Sequence, residues 1–229
     1  MSGIAWLQKT DLPAALPPTS RALVEPNGLL AVGGALTPEW LIHAYRHGVF
    51  PWYSAEQPIL WWAPDPRAVL LPSEFRASRS LARSISKRGY ETRINTAFQE
   101  VIEACAGPRR GLPGTWITRE MHDAYMLLHR RGLAHSIETW HKGRLIGGLY
   151  GVAIGRAFFG ESMFTRETDA SKVALARLVS ECLARNVPLI DCQMASLHLA
   201  SLGSRSIPRW DFEARLAELI NSRVPVWRG

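Results

Sequence analysis

Three polar residues, Asp191, Gln193 and Glu161, stand in apolar stretches where side chains of their type could form a site for a cationic or amine-bearing substrate. In VPLIDCQM, Asp191 and Gln193 are two apart, so on a strand they share one face while Ile190, Cys192 and Met194 share the other. A carboxylate and an amide therefore stand side by side. In an apolar strand they cost free energy unless paired, so a structural hydrogen-bond network is the plain alternative. In FFGESMF, a strand puts Glu161 and Met163 on one face, and Gly160 marks a bulge or a close approach by a ligand or another backbone. A buried Glu161 beside Asp191 would suit a cationic or amine-bearing substrate, and a surface glutamate is the alternative. Cys192 points away from the Asp191 face and reads as core, not as a nucleophile.

A second pattern is electrostatic. Arg76, Arg79, Arg83 and Lys87 are spaced three and four apart, which on a helix confines them to an arc of about 80°, with Leu81 and Ile85 opposite. Arg88, Arg93, Arg109 and Arg110 add charge nearby, offset only by Glu74, Glu91, Glu100 and Glu103. The whole chain carries 27 Lys and Arg against 20 Asp and Glu, a net charge of +7, which favours a nucleic-acid or other anionic partner. Phosphate contacts are one use of such a stripe, and a solvated helix face is the other. Trp52, Trp61 and Trp62 lie close together in a chain with nine tryptophans and could line a pocket.

Other chemistries lack their residues. No G-x-G-x-x-G, G-x-x-x-x-G-K-[ST] or G-x-S-x-G pattern occurs. His43 and His47 form an i, i+4 pair without H-E-x-x-H context or a third ligand, so no metal is expected. The three cysteines have no C-x-x-C spacing and read as reduced thiols. No run is long and apolar enough to span a membrane, and no secretory leader is visible, so a cytoplasmic location is the expectation.

The elements that must position these residues follow from periodicity and punctuation. The first twenty-odd residues, with Pro13, Pro17 and Pro18, read as an extended surface arm. A helix begins at Pro38 with Thr37 as its cap, and the proline- and aromatic-rich stretch 49–66 reads as an irregular wall. Then come a strand at AVLLP, helices at RASRSLARSISKR and TAFQEVIEACAG, and a helix capped by Thr118. Strands near 135–140, 144–153 and 156–163 form a meander about turns at Lys142-Gly143 and Ile154-Gly155. A helix at DASKVALARLVSECLARN, the strand VPLIDCQM, a loop and a short helix complete the chain.

The segments EPNGLLAVGGALTPEWLIHAYRHGVFPWYS, ILWWAPDPRAVL, GTWITREMHDAY, HSIETW, GGLYGVAIG, FFGESMF, ASKVAL and LIDCQM occur in this order between about Glu25 and Trp210. Together they resemble the leucyl/phenylalanyl-tRNA–protein transferase family. The resemblance implies an α+β chain: a small N-terminal domain, 1–62, and a GNAT-like acyltransferase C-terminal domain, 63–229. It implies transfer of Leu or Phe, less readily Met, from aminoacyl-tRNA to proteins with N-terminal Arg or Lys, marking them for N-end rule degradation, without a cofactor. By resemblance, Asp191 and Gln193 are the catalytic pair, and Leu149, Met163, Leu178 and Ile190 line the aminoacyl side-chain pocket. Trp52, Trp116 and Tyr125 then lie at the terminal adenosine, Glu161 meets the acceptor peptide, and Arg76, Arg79, Arg83, Lys87 and Arg88 face tRNA phosphates. An acetyl-CoA-dependent GNAT acetyltransferase would need a pyrophosphate-binding glycine loop that is missing here. A non-catalytic tRNA-binding protein would leave Asp191 and Gln193 without purpose.

Overall fold

The computed structural model describes residues 3–107, 117–223 and 225–227. A small sheet is built from β1 (Ala5–Leu7), β2 (Leu29–Gly33), β3 (Phe50–Pro51) and β4 (Leu60–Trp62), in the order β1-β2-β4-β3. The expected surface arm is therefore partly sheet, because Ala5, Trp6 and Leu7 pair in parallel with Ala31, Val32 and Gly33. The stretch read as an irregular wall also supplies two strands. Pro51 is tolerated there because β3 is an edge strand, where the missing N–H is not needed for a second ladder. Between β2 and β3 runs α1 (Pro38–Arg46), whose cap Thr37 accepts a bond from the Trp40 N–H at 3.4 Å. Its inner face buries Trp40, Leu41, Ala44 and Tyr45, and Trp40 stacks on the fully buried Trp61.

The second sheet has seven strands. It uses β5 (Arg67–Leu70), β6 (Glu91–Ile94), β7 (Ala134–His141), β8 (Arg144–Ile154), β9 (Ala157–Thr165), β10 (Leu189–Gln193) and β11 (Arg205–Ile207). Their order is β11-β5-β10-β9-β8-β7-β6. The meander β7–β9 forms about the turns read from sequence, Lys142 and Gly143 both taking the left-handed backbone that a two-residue hairpin demands. β6 and β11 escaped the sequence reading. They are short, polar edge strands, which is how sheets discourage further pairing and also what leaves them without a periodic signal.

Five of the helices pack on these strands: α2 (Arg79–Lys87), α3 (Phe98–Ala106), α4 (Arg119–Arg130), α5 (Ala170–Ala184) and, at the far end, α7 (Arg209–Leu219), with α6 (Leu197–Ala200) a single turn after β10. α5 is the crossover that makes β10 parallel to β9, while β5 flanks β10 antiparallel. The parallel pair joined by one helix, set in an otherwise antiparallel sheet, gives the α+β architecture that the resemblance implied.

Alternation along β8 explains the layering. Tyr150, Val152 and Ile154 join a hydrophobic cluster with α1, α3, α4, α7 and the small sheet, while Leu149 and Ala153 join a second cluster with α5 and Leu81 of α2. Gly151 lies where the β8–β9 register shifts; a Cβ there would sit 2.2 Å from the Phe159 carbonyl oxygen and 2.5 Å from the Phe158 ring. Gly151→Ala should therefore destabilise the protein by about 1–3 kcal/mol, read as a lowered Tm. An unchanged Tm would show that this close approach is not required.

Candidate active site

Arg67, the first residue of β5, is 1% exposed. Its guanidinium lies between the rings of Phe50 and Phe212, at 4.8 and 4.7 Å from their centroids. Its edge meets one carboxylate: Nε donates to Asp191 Oδ1 at 2.8 Å and a terminal nitrogen donates to Oδ2 at 2.7 Å. Asp191 is fully buried and also accepts the Gln193 backbone N–H at 2.9 Å.

That last bond changes the expected geometry. The β5–β10 register shifts between Asp191 and Gln193, and Gln193 adopts φ +59°, so the simple alternation that would set both side chains on one face is broken. Asp191 holds Gln193 through the backbone, not through its amide. The amide instead reaches Glu161, Nε2 donating to Oε1 at 3.1 Å.

Glu161 is the junction of the site. Tyr45 of α1 donates to its Oε1 at 2.7 Å and Tyr125 of α4 to its Oε2 at 2.8 Å, while the two hydroxyls lie 2.5 Å apart. Both tyrosines are fully buried; Glu161 as a residue keeps some exposure. Burial pushes the Glu161 carboxyl up to about 7, against the lowering effect of the two tyrosine bonds.

Two cavities meet at this edge. One, of about 250 Å³, is walled by Leu149, Met163, Leu175, Leu178 and Ile190 and reaches Glu161 and Gln193. It brings together all four residues expected around an aminoacyl side chain. Its size suits one side chain better than a whole cofactor. The other, of about 130 Å³, is lined by Phe50, Pro51, Trp52, Met194 and the same Glu161, Cys192 and Gln193. Trp52 is 40% exposed, its ring braced edge-on by Trp62, whose indole N–H donates to the Trp52 carbonyl at 2.7 Å. Cys192, read as core, in fact forms part of both cavity walls, with burial raising its thiol well above the usual range.

Other expected residues are placed differently. Tyr125 has its ring in the core and its hydroxyl on Glu161, so it has no free face for a base. Trp116, like Arg109 and Arg110, lies outside the described residues. Arg79, Arg83 and Lys87 lie exposed on α2 and Arg88 at its C-cap, whereas Arg76 precedes the helix, which starts after its cap Ser78. Ile85, expected on the packed side of α2, is 43% exposed; Leu81 and Ser84 are the buried positions. Sequence reasoning missed Arg67, Tyr45 and the α6 wall of Ser196, His198 and Leu199. An arginine opening an apolar strand was the available signal for the first. Among the described residues no group of three His, Cys, Asp or Glu could hold a metal ion, and no helix is long and apolar enough to cross a membrane.

Residues 69–217 match the family model for leucyl/phenylalanyl-tRNA protein transferase, and residues 34–65 match that of its N-terminal domain. The chain belongs to this family. A leucyl/phenylalanyl-tRNA–protein transferase from Thiobacillus denitrificans is 60% identical over 205 residues, covering 90% of each chain. Another of that name, from Stutzerimonas stutzeri, is 55% identical over 214 residues, covering 93% of this chain and 94% of its own. Among solved structures, a GCN5-related N-acetyltransferase-like protein from Streptococcus suis aligns with TM-score 0.37 and 17% identity, over 70% of this chain and 59% of its own. Membership makes this transferase an aminoacyltransferase whose substrates are an aminoacyl-tRNA and a protein acceptor.

The Arg67–Asp191 pair gives a sharp expectation for the transferase. Arg67→Met leaves Asp191 buried without its partner and should cost about 3–5 kcal/mol. Adding Asp191→Leu removes the orphaned charge and should recover much of that loss, as measured by denaturant unfolding. A double variant no more stable than the single one would contradict the pairing argument.

Proposed function

We propose that the chain moves leucine or phenylalanine, and less readily methionine, from tRNA to the α-amine of proteins beginning with Arg or Lys, marking them for the bacterial N-end rule pathway. The observation that carries this reading is the apolar cavity of about 250 Å³ that opens at a polar edge of Glu161 and Gln193. Burying a Leu or Phe side chain there is worth about 1.5–3 kcal/mol, while a polar side chain would leave its hydrogen bonds unmade against Leu149, Met163, Leu178 and Ile190.

With the side chain seated, the ester carbonyl lies at the cavity mouth and the terminal ribose leads toward the second cavity. There Trp52 offers an exposed ring for the terminal adenosine, a sequence-tolerant contact, and Trp116 is proposed to share that role. The acceptor amine attacks the carbonyl, a tetrahedral intermediate forms, and the ribose oxygen leaves. An ester is already activated, so the chemistry calls for no cofactor or metal; the protein supplies approach and charge placement. Gln193 gives its amide N–H to Glu161, so its amide oxygen is the end that can accept from the incoming amine. Asp191 is a positioning residue, fixing the bulge that aims Gln193, and Glu161 meets the acceptor. In this reading residues 1–62 form a small domain that contributes Trp52 and Tyr45, residues 63–229 form the catalytic domain, and the substrates locate the reaction in the cytoplasm.

The reading is tested by transfer of labelled phenylalanine from Phe-tRNA to a peptide beginning with Arg, with a Glu-initiated peptide and acetyl-CoA as controls. Transfer to the Arg peptide alone is expected; tRNA binding with no transfer would leave only a binding protein. Arg76, Arg79, Arg83, Lys87 and Arg88 are proposed to face tRNA phosphates. Changing Arg79 and Arg83 to Ala should weaken tRNA binding and reduce the slope of log K against log salt by about 1–2. An unchanged slope would make α2 a solvated face.

A further inference from the structure

Glu161, Tyr45 and Tyr125 close a ring of oxygens: Oε1 to Tyr45 Oη at 2.7 Å, Tyr45 Oη to Tyr125 Oη at 2.5 Å, and Tyr125 Oη to Oε2 at 2.8 Å. Three such contacts need three protons, and each hydroxyl owns one. With the carboxyl ionised, two protons serve three contacts, and the short contact between the tyrosines is left between lone pairs whenever both hydroxyls point at Glu161. With the carboxyl protonated, every contact holds a proton. The ring therefore has a place for one proton more than its ionised form contains. Tyr45 and Tyr125 are fully buried, so the ring meets the site through the Glu161 carboxyl, which lines both cavities and whose Oε1 also accepts from Gln193 Nε2.

We propose that Glu161 takes the proton of the attacking α-amine, with the Tyr45–Tyr125 ring holding its carboxyl one proton short until the tetrahedral intermediate supplies it. This rests on the transfer reaction proposed above, and it assigns Glu161 to the acceptor's amine instead of its Arg or Lys side chain. A carbonyl whose side chain fills the apolar cavity lies beside Oε1, and the acceptor atom that must reach a carbonyl is the α-nitrogen. Its lone pair forms the N–C bond while the carbonyl π pair moves onto oxygen. The N–H proton passes to Oε1; that O–H now points to Tyr45, the Tyr45 hydroxyl to Tyr125, and the Tyr125 hydroxyl to Oε2. As the carbonyl re-forms, the C–O bond breaks with its pair on the ribose oxygen, which recovers the proton from Oε1. Ester and amine become amide and alcohol, and Glu161 returns to its starting state.

The groups facing Glu161 fit this role. They are Tyr45 of α1, Tyr125 of α4, Tyr150 of β8, Arg67 of β5, and Asp191, Cys192 and Gln193 of β10. Asp191 raises the Glu161 pKa and Arg67 lowers it, so the buried pair acts on it in opposite directions. Burial sets the balance near 7, where a group can both accept and return a proton. The same burial raises Tyr45, Tyr125 and the Cys192 thiol well above their ordinary values, so they keep their own protons.

The test is the pH profile of kcat/KM for an Arg-initiated peptide with Phe-tRNA saturating, for the whole chain and three variants. An acceptor α-amine titrates at about 7.7–8.0, so it contributes one rising limb in every case. In the wild type a second limb near 7 should bring the acid-side slope of log kcat/KM toward 2. Glu161→Gln should fall by about 10²–10⁴-fold and keep a slope of 1. Tyr125→Phe removes a donor that favours the ionised carboxyl, so its second limb should move to higher pH; Tyr45→Phe should move it the same way, and serves if the first variant does not fold. A merely structural ring would lower the plateau without moving the limb. A slope near 2 in Glu161→Gln, or an unmoved limb in the tyrosine variants, overturns the proposal. No transfer by the wild type would instead overturn the function on which it rests.

Discussion

Arg67 and Asp191 are held out of water together, and most of the site follows from how that is made tolerable. Removing two charges from solvent is costly, and attraction alone often fails to offset it. Here the carboxylate receives two donors of the guanidinium and a backbone N–H, and the guanidinium carbon lies over the rings of Phe50 and Phe212. Those rings come from the small sheet and from α7, so one buried cation ties the N-terminal strands, the C-terminal helix and the centre of the large sheet to one place. The third bond to Asp191 is the one that shapes the edge of the cavities, because it forms where the strand bulges and Gln193 turns into the left-handed region.

From that bulge the site extends as a narrow polar edge between two cavities. Gln193 and Glu161 belong to β10 and β9, adjacent parallel strands joined by α5, and the helix bridging them also supplies Leu175 and Leu178 to the apolar wall. On the opposite face, α1 and α4 deliver the two tyrosine hydroxyls through their buried stripes. The apolar wall and the polar edge therefore grow from the two faces of one sheet. This arrangement lets an apolar pocket and a hydrogen-bonded carboxyl sit side by side without either intruding on the other.

Much of this was legible in the sequence. Thr37 and Thr118 announced their helices, glycine at 143 and 155 announced the meander, and Leu149, Met163, Leu178 and Ile190, which only the family resemblance had grouped, line one cavity. What failed did so for physical reasons. Edge strands β6 and β11 carry no hydrophobic alternation, and β1 is ordered by pairing with a strand more than twenty residues away. The shared face of Asp191 and Gln193 was inferred from a regular pleat, which a bulge interrupts without changing the composition of the strand. Arg67 and Tyr45 join the site only through contacts 124 and 116 residues distant in sequence, and no local pattern reports these.

The proposed reaction places the amino-acid side chain and the terminal adenosine on either side of one polar edge. It is tested most directly by a crystal structure with phenylalanyl-adenosine carrying an amide in place of the reactive ester. The phenyl ring is expected between Leu149, Leu178 and Ile190, the amide carbonyl within reach of Gln193 and Glu161, and the adenine against Trp52. An adenine in the apolar cavity, or a carbonyl lying away from Glu161 and Gln193, would contradict it.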